Sequence, residues 1–192
     1  MGEKLIKTFI SIDVGNKIKE KIKRLKSENF RKTDNVNWVN IENIHLTLRY
    51  IGPTVNSEIK KINNILENIV KDFREFSLEI KGTGIFPKIQ RPRIIWLGIN
   101  GNLSKLSDLE SYINKILSQN GYPSDNFNNF IPHITLGRIR YPQTTTPDLT
   151  SFLNASYNPV KFKVQKISLF RTETIGSGPI YSLLGTHYFS NN

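Results

Sequence analysis

Residues 5–13, LIKTFISID, alternate apolar and polar side chains, which is the period of a strand with one buried face. Val14, Ile18, Ile22 and Leu25 follow at helical spacing with Lys and Arg between them. A stretch rich in Thr, Asp and Asn leads to Trp38 and Val39, and residues 44–51 read as a strand that Gly52-Pro53 stops. Val55, Ile59, Ile62, Leu66, Ile69 and Phe73 lie on one stripe of an amphipathic helix. FSLEI (76–80) is a strand, GTGIFPKIQRPR (82–93) a loop or ribbon broken by Gly and Pro, and IIWLGI (94–99) a buried strand. Leu103, Leu106, Leu109, Ile113, Ile116 and Leu117 form another amphipathic helix, ended by Gly121 and Pro123. The polar aromatic loop SDNFNNF (124–130) leads to a strand at 131–140, and TTTPDLTS (144–151) reads as loop. Strands at 160–169 and 180–188 close the chain, joined by a flexible TETIGSGP.

Helix and strand run through both halves, and no period of 20–50 residues recurs, so the chain is not a solenoid. What recurs is a motif. NIHLTLRYIG and IPHITLGRIR align on their histidines, matching His45 with His133, Thr47 with Thr135, Leu48 with Leu136 and Ile51 with Ile139. The two copies stand 88 residues apart and use two of the three histidines. That spacing predicts two related halves in an α+β protein, each a mostly antiparallel sheet backed by helices. No low-complexity linker separates them, so residues 1–192 are expected to form a single two-lobed domain around a shared core.

Composition narrows the chemistry. Of the 192 residues, 38% are hydrophobic, with two Trp, seven Tyr and eleven Phe, enough for a packed core. Cysteine is absent, which excludes disulfides, thiolate zinc sites and cysteine nucleophiles and fits a reducing interior. MGEKLIKTFISIDV contains no long apolar run and reads as no signal peptide, and no stretch approaches about 18 apolar residues. A cytoplasmic protein without a membrane partner is expected. The charge of +11, from 27 basic and 16 acidic residues, points to a polyanion, nucleic acid first. Lys17, Lys19, Lys21, Lys23, Arg24 and Lys26 on one helix account for part of that excess as a solvated face.

On a strand, His45 and Thr47 project to one side while Leu46 and Leu48 project to the other. His133 and Thr135 behave likewise against Ile134 and Leu136. If the two strands face each other, two imidazoles and two hydroxyls converge. One imidazole can take a proton from water or a hydroxyl while the other gives one to a leaving oxygen. The threonines can donate to non-bridging phosphate oxygens. Arg138 offers a planar cation for the phosphate, but its odd offset from His133 turns it away on an ideal strand. A bulge or twist at Gly137 is therefore expected to return it. Tyr50 holds the matching position in the first copy and is expected to supply apolar or stacking surface near a nucleoside. A metal site competes poorly, since His45 and His133 have no nearby ligands at metal-binding spacing. His187, in LLGTHYF, is expected to be structural, and GSG (176–178) a loop and no phosphate fingerprint.

The doubled His-x-Thr motif resembles the two-histidine phosphoesterases, and within them the RNA 2′,3′-cyclic phosphodiesterases, or LigT-type 2′-5′ RNA ligases. TFISIDV, VNWVNIENIHLTLRYIG, GTGIFPKIQRPRIIWLGI, FIPHITLGRIR and ISLFRTETIGSGPIYSLLG extend the resemblance over nearly the whole chain. It implies a bilobal, pseudo-two-fold fold with the active-site cleft between the lobes. It also implies cofactor-free, metal-independent opening of a 2′,3′-cyclic phosphate at an RNA 3′ end, leaving a 2′-phosphate, with reversible 2′-5′ ligation as a family activity. By motif match, His45 is the proton donor to the departing 3′ oxygen and His133 the proton acceptor that activates water. Thr47, Thr135 and Arg138 match the phosphate-holding positions. The expected partner is RNA with a cyclic-phosphate end, tRNA fragments included, met by a monomer. The alternatives are a noncatalytic RNA-end or nucleotide binder using the same cleft, and an enzyme for another cyclic phosphate or a 2′-5′ oligonucleotide.

Overall fold

The computed structural model describes residues 4–31, 35–124, 130–140, 147–175 and 178–190. Among these, the elements are β1 (Leu5–Asp13), α1 (Gly15–Asn29), β2 (Val36–Trp38), β3 (His45–Val55), α2 (Ile59–Ile69), β4 (Phe76–Phe86), β5 (Ile94–Gly101), α3 (Leu103–Gln119), β6 (His133–Ile139), α4 (Thr150–Leu153), β7 (Val160–Val164), β8 (Lys166–Ile175) and β9 (Gly178–Tyr188). The strands form one sheet in the order β7-β4-β5-β6-β3-β1-β8-β9, with β2 added against β6. Every pairing is antiparallel.

The sheet is two halves joined by a thin seam. β3-β1-β8-β9 makes one half and β6-β5-β4-β7 the other. The units β1-α1-β3 and β5-α3-β6 occupy matching places, as the doubled motif requires. Across the seam only Leu46 pairs with Ile134. Both are fully buried, so the seam is held by apolar packing on one face while the strands splay apart on either side.

The helices explain why no linker is visible in the sequence. α1 follows β1 but packs beside β7 and α4 of the other half. α3 follows β5 but packs against α2 and β3 of the first half. Each half thus lends a helix to its partner. Ile18, Ile22 and Leu25 of α1 and Leu106, Leu109, Ile113 and Leu117 of α3 belong to one continuous core with Leu46 and Ile134.

Several boundaries differ from the expected ones. Gly52-Pro53 does not stop β3, which runs on to Val55. Gly52 takes a φ of +94°, and the strand carries on through Pro53, which still stands opposite Lys7 of β1. Thr83–Phe86, expected as loop or ribbon, continues β4 against β5 after a register slip between Ile80 and Thr83. Residues 160–169 are not one strand. They divide into β7, at one edge of the sheet, and β8, which lies between β1 and β9 in the other half. Thr172–Ile175 extends β8 instead of forming a flexible connection. Thr150 and Ser151 of TTTPDLTS open the short helix α4. Residues 125–129, 144–146 and 176–177, expected as loop, lie outside the described residues. No described helix is long and apolar enough to cross a membrane.

Candidate active site

The seam sets the chemistry. Extending the antiparallel Leu46–Ile134 pair by one residue each way puts His45 opposite Thr135 and Thr47 opposite His133. The four polar side chains therefore share one face, with the histidines on a diagonal across the seam. They are half-buried, while Leu46, Leu48, Ile134 and Leu136 are buried on the far face.

Both imidazoles are anchored in the same way. His45 Nδ1–H donates to the Asn43 carbonyl at 2.6 Å, and His133 Nδ1–H donates to the Ile131 carbonyl at 2.8 Å. A carbonyl only accepts, so Nδ1 carries the hydrogen and Nε2 is left to exchange protons in each ring. The first anchor exists because a 3-10 turn at Ile41–Asn43 precedes β3. Asn40 caps that turn by accepting from the Glu42 amide at 3.0 Å. Thr47 Oγ1 lies 3.0 Å from His45 Nε2, donating to it when the ring is neutral and accepting from it when the ring is charged.

Arg138 reaches the same face through a bulge. β5 and β6 slip register so that Ile95 opposes Gly137 and Trp96 opposes Thr135, leaving Leu136 as the extra residue. Leu136 and Gly137 are consequently both buried and Arg138 turns outward, as the odd offset demanded. β2 closes over the bulge at Gly137, where a Cβ would meet Val36 Cγ1 at 2.7 Å. β3 slips at the equivalent place, skipping Leu48, so Arg49 is buried and Tyr50 turns outward.

A cavity of about 1240 Å³ opens here. Its lining takes in His45, Thr47, Thr135, Arg138 and Tyr50, with Lys7 at one side. His133 stands just outside that lining, on the side of β5. The volume lies above the usual range of small-molecule pockets, about 300–1,000 Å³.

Aromatic side chains surround each histidine, and periodicity alone did not mark them as part of the site. Phe9 stacks on His45 with centroids 5.0 Å apart, and Tyr181 meets it edge-on at 5.5 Å. Phe86 meets His133 edge-on at 5.0 Å, and Trp96 lies 6.2 Å from it. Burial against these rings is the main cause that pushes both imidazoles below their ordinary pKa. The positive charge of Arg138 adds to the effect at each, and that of His133 adds to it at His45. Backbone hydrogen bonding opposes the shift but does not cancel it.

His187 lies away from the seam. It is buried, with Nδ1 2.9 Å from Glu67 Oε2 and Nε2 2.9 Å from Asn63 Oδ1, fastening β9 to α2. Among the described residues, no cluster of three or more His, Cys, Asp or Glu is placed to hold a metal ion.

The family model for the 2′-5′ RNA ligase superfamily matches residues 16–176. A protein of Aquifex aeolicus named RNA 2′,3′-cyclic phosphodiesterase is 30% identical, across 96% of this chain and 98% of its own. A Thermotoga maritima protein of the same name is 30% identical across 93% of each chain. Among solved structures, TT0787 of Thermus thermophilus superposes with a TM-score of 0.80 at 19% identity, covering 96% of this chain and 98% of that one. Escherichia coli LigT complexed with 3′-AMP superposes at 0.78 and 21% identity, covering 98% of this chain and 100% of that one.

Proposed function

The chain belongs to the 2′-5′ RNA ligase superfamily, and on that premise we propose that it is an RNA 2′,3′-cyclic phosphodiesterase. It opens a terminal 2′,3′-cyclic phosphate to a 2′-phosphate by two-histidine acid–base catalysis. The observation that carries this reading is the matched pair of imidazoles, each anchored at Nδ1 and free to work at Nε2 across one seam. His133 takes the proton of the attacking water. His45 gives its proton to the departing 3′ oxygen. Thr47 and Thr135 donate to the non-bridging oxygens, and Arg138 offsets the charge that builds on them in the transition state. With a 5′-hydroxyl in the place of water, the same steps join two strands through a 2′-5′ bond.

The test is product analysis on an RNA ending in a cyclic phosphate, resolving 2′- from 3′-phosphate. A 2′-phosphate is the expected product, and unchanged substrate or a 3′-phosphate refutes the reading. The reaction proceeds through side-chain groups alone, so the rate is expected to persist in excess EDTA. Loss in chelator with rescue by Zn²⁺ or Mn²⁺ would contradict that.

The pH dependence follows from the two lowered pKa values. The productive form has His133 neutral and His45 protonated. The rate constant kcat/KM therefore rises as His133 loses its proton and falls as His45 loses its own. Both steps lie below the ordinary imidazole value of about 6.5, so the optimum of kcat/KM is expected on the acidic side of it. A bound phosphate anion raises both, which places the kcat optimum at higher pH than that of kcat/KM. A kcat/KM optimum at pH values well above neutrality would sink this assignment of protons.

The proposal extends to a single two-lobed domain over residues 1–192, acting as a cytoplasmic monomer on RNA fragments, tRNA pieces included. The crossed helices and shared core support one domain. Lys161 and Lys163 point outward from the edge strand β7, which disfavours pairing with a second sheet.

A further inference from the structure

The two imidazoles are anchored alike, but the residues that supply the anchoring carbonyls differ. In the second half that residue is Ile131, whose apolar side chain is 53% exposed and offers no hydrogen bond. In the first half it is Asn43, and its side chain is engaged. Asn43 Nδ2 donates to the Pro179 carbonyl at 3.3 Å, while the Asn43 backbone carbonyl accepts from His45 Nδ1–H at 2.6 Å. Pro179 lies near the start of β9, in the hairpin that β8 and β9 form. The same stretch gives Ile180 and Tyr181 to the wall of the large cavity. Tyr181 also meets His45 and Phe9 edge-on, with centroids 5.5 and 5.0 Å away. Asn43 thus holds the imidazole through its backbone and the cavity wall through its side chain.

We propose that Asn43 is a positioning residue that ties the aim of His45 to the β8–β9 hairpin, so that the wall beside the substrate and the ring that protonates its leaving oxygen form one frame. This rests on the reading of His45 as proton donor, and that reading gives a reason for bracing one half alone. An attacking water is free to find its base, so His133 needs only a ring with the right nitrogen exposed. The leaving 3′ oxygen is fixed to the ribose and cannot adjust, so the donor has to be aimed at it. The other bonds of the 3-10 turn do not do this. Asn40 caps the turn internally, and the ion pair of Glu42 with Lys19 runs to α1 through a carboxylate that is 71% exposed, so it contributes little. Neither reaches β9, and the Asn43 amide does.

The brace acts on one step of the reaction. Loosening it leaves the attack of water on phosphorus untouched and delays the proton that the 3′ oxygen needs in order to depart. A leaving oxygen that needs no proton is indifferent to it.

The test replaces Asn43 by Ala, which deletes the amide, and by Leu, which keeps its bulk without the donor. Both leave the backbone carbonyl in place. On adenosine 2′,3′-cyclic phosphate, each variant is expected to lose about 10- to 100-fold in kcat with KM within about threefold of wild type, as for a misplaced group and not for lost substrate binding. On bis(4-nitrophenyl) phosphate, whose aryl oxide departs without a proton, the loss is expected to shrink to about threefold or less. The ratio of the two substrates cancels any loss of active protein, and a merely structural role would weaken both reactions alike. Equal losses on the two substrates, or wild-type turnover of the nucleotide, overturn the proposal. A wild type that opens neither substrate refutes the activity instead. In that case, as where the aryl ester alone is inert, the brace is decided by long-range ¹H–¹⁵N spectra of the imidazoles at a pH where both are neutral. His45 is expected as the Nδ1–H tautomer in wild type and as a mixture of tautomers in Asn43→Ala, with His133 the same in both. A His45 ring unchanged in that variant overturns the proposal.

Discussion

Replacing either His45 or His133 by Ala is expected to slow opening of a cyclic phosphate by about 10²–10⁴-fold, the usual worth of general acid–base catalysis. Each ring is held at Nδ1 by a backbone carbonyl two residues upstream, which leaves Nε2 for the proton transfer proposed above. The double variant is expected to be little worse than either single one, because the two protons move in one event. A substrate with an aryl leaving oxygen separates the roles. Such an oxygen departs without a proton, so the defect of His45→Ala should shrink on it while that of His133→Ala persists. The measurements are kcat/KM on both substrates and the melting temperature of each variant. Both histidines face the cleft and are only half-buried, so melting should move little. Near-wild-type turnover in either variant would remove that histidine from the chemistry.

The residues of this site could be found in the sequence because their signal is local. A period of two fixes which side His45 and Thr47 share, and the repeat at His133 and Thr135 says that the same geometry is used twice. Even the bulge was foreseeable, since Arg138 sits at the wrong parity and follows Gly137. The structure finds the slip one residue earlier, at Leu136, and finds its counterpart at Leu48 in β3.

What was not legible depends on contacts between distant segments. Phe9, Phe86, Trp96 and Tyr181 read as ordinary strand residues, and only the pairing of β1, β4, β5 and β9 around the seam brings them to the imidazoles. Their burial, more than any nearby charge, depresses the histidines. The anchoring carbonyls of Asn43 and Ile131 leave no trace in the identity of those residues, because every residue has a carbonyl. The exchange of α1 and α3 between halves was equally hidden. Amphipathicity says that a helix buries one face, but not against which sheet. β7 and β8 merged into one expected strand because Gln165 between them carries no Gly or Pro signal, although they lie in opposite halves of the sheet.

Arg138→Lys is expected to lower kcat/KM by roughly 30- to 1000-fold, the equivalent of about 2–4 kcal/mol of transition-state stabilisation. Arg138 and Tyr50 occupy equivalent positions after equivalent bulges, and both turn outward to line the cavity. One carries a fixed charge and the other does not, so at this matched pair of positions the proposed charge at the phosphate comes from the second half alone. The guanidinium is felt at His45 and His133, where it adds to the lowering by burial, and at Tyr181, where it opposes the burial that raises the phenol, which puts it at the centre of the cluster. Lysine keeps the charge but loses the planar fork that grips two oxygens at once, so the change is not conservative. Arg138→Gln removes the charge as well. The imidazole pKa values should then rise, and the kcat/KM optimum should move to higher pH. Tyr50→Leu keeps apolar surface at a side chain that is 49% exposed, so it should cost much less and act mainly on KM. The comparison is kcat/KM for Arg138→Lys and Tyr50→Leu on one cyclic-phosphate substrate. If Tyr50→Leu proves the more damaging, the charge at the phosphate is not supplied from β6, and the polarity assigned to the two halves is reversed.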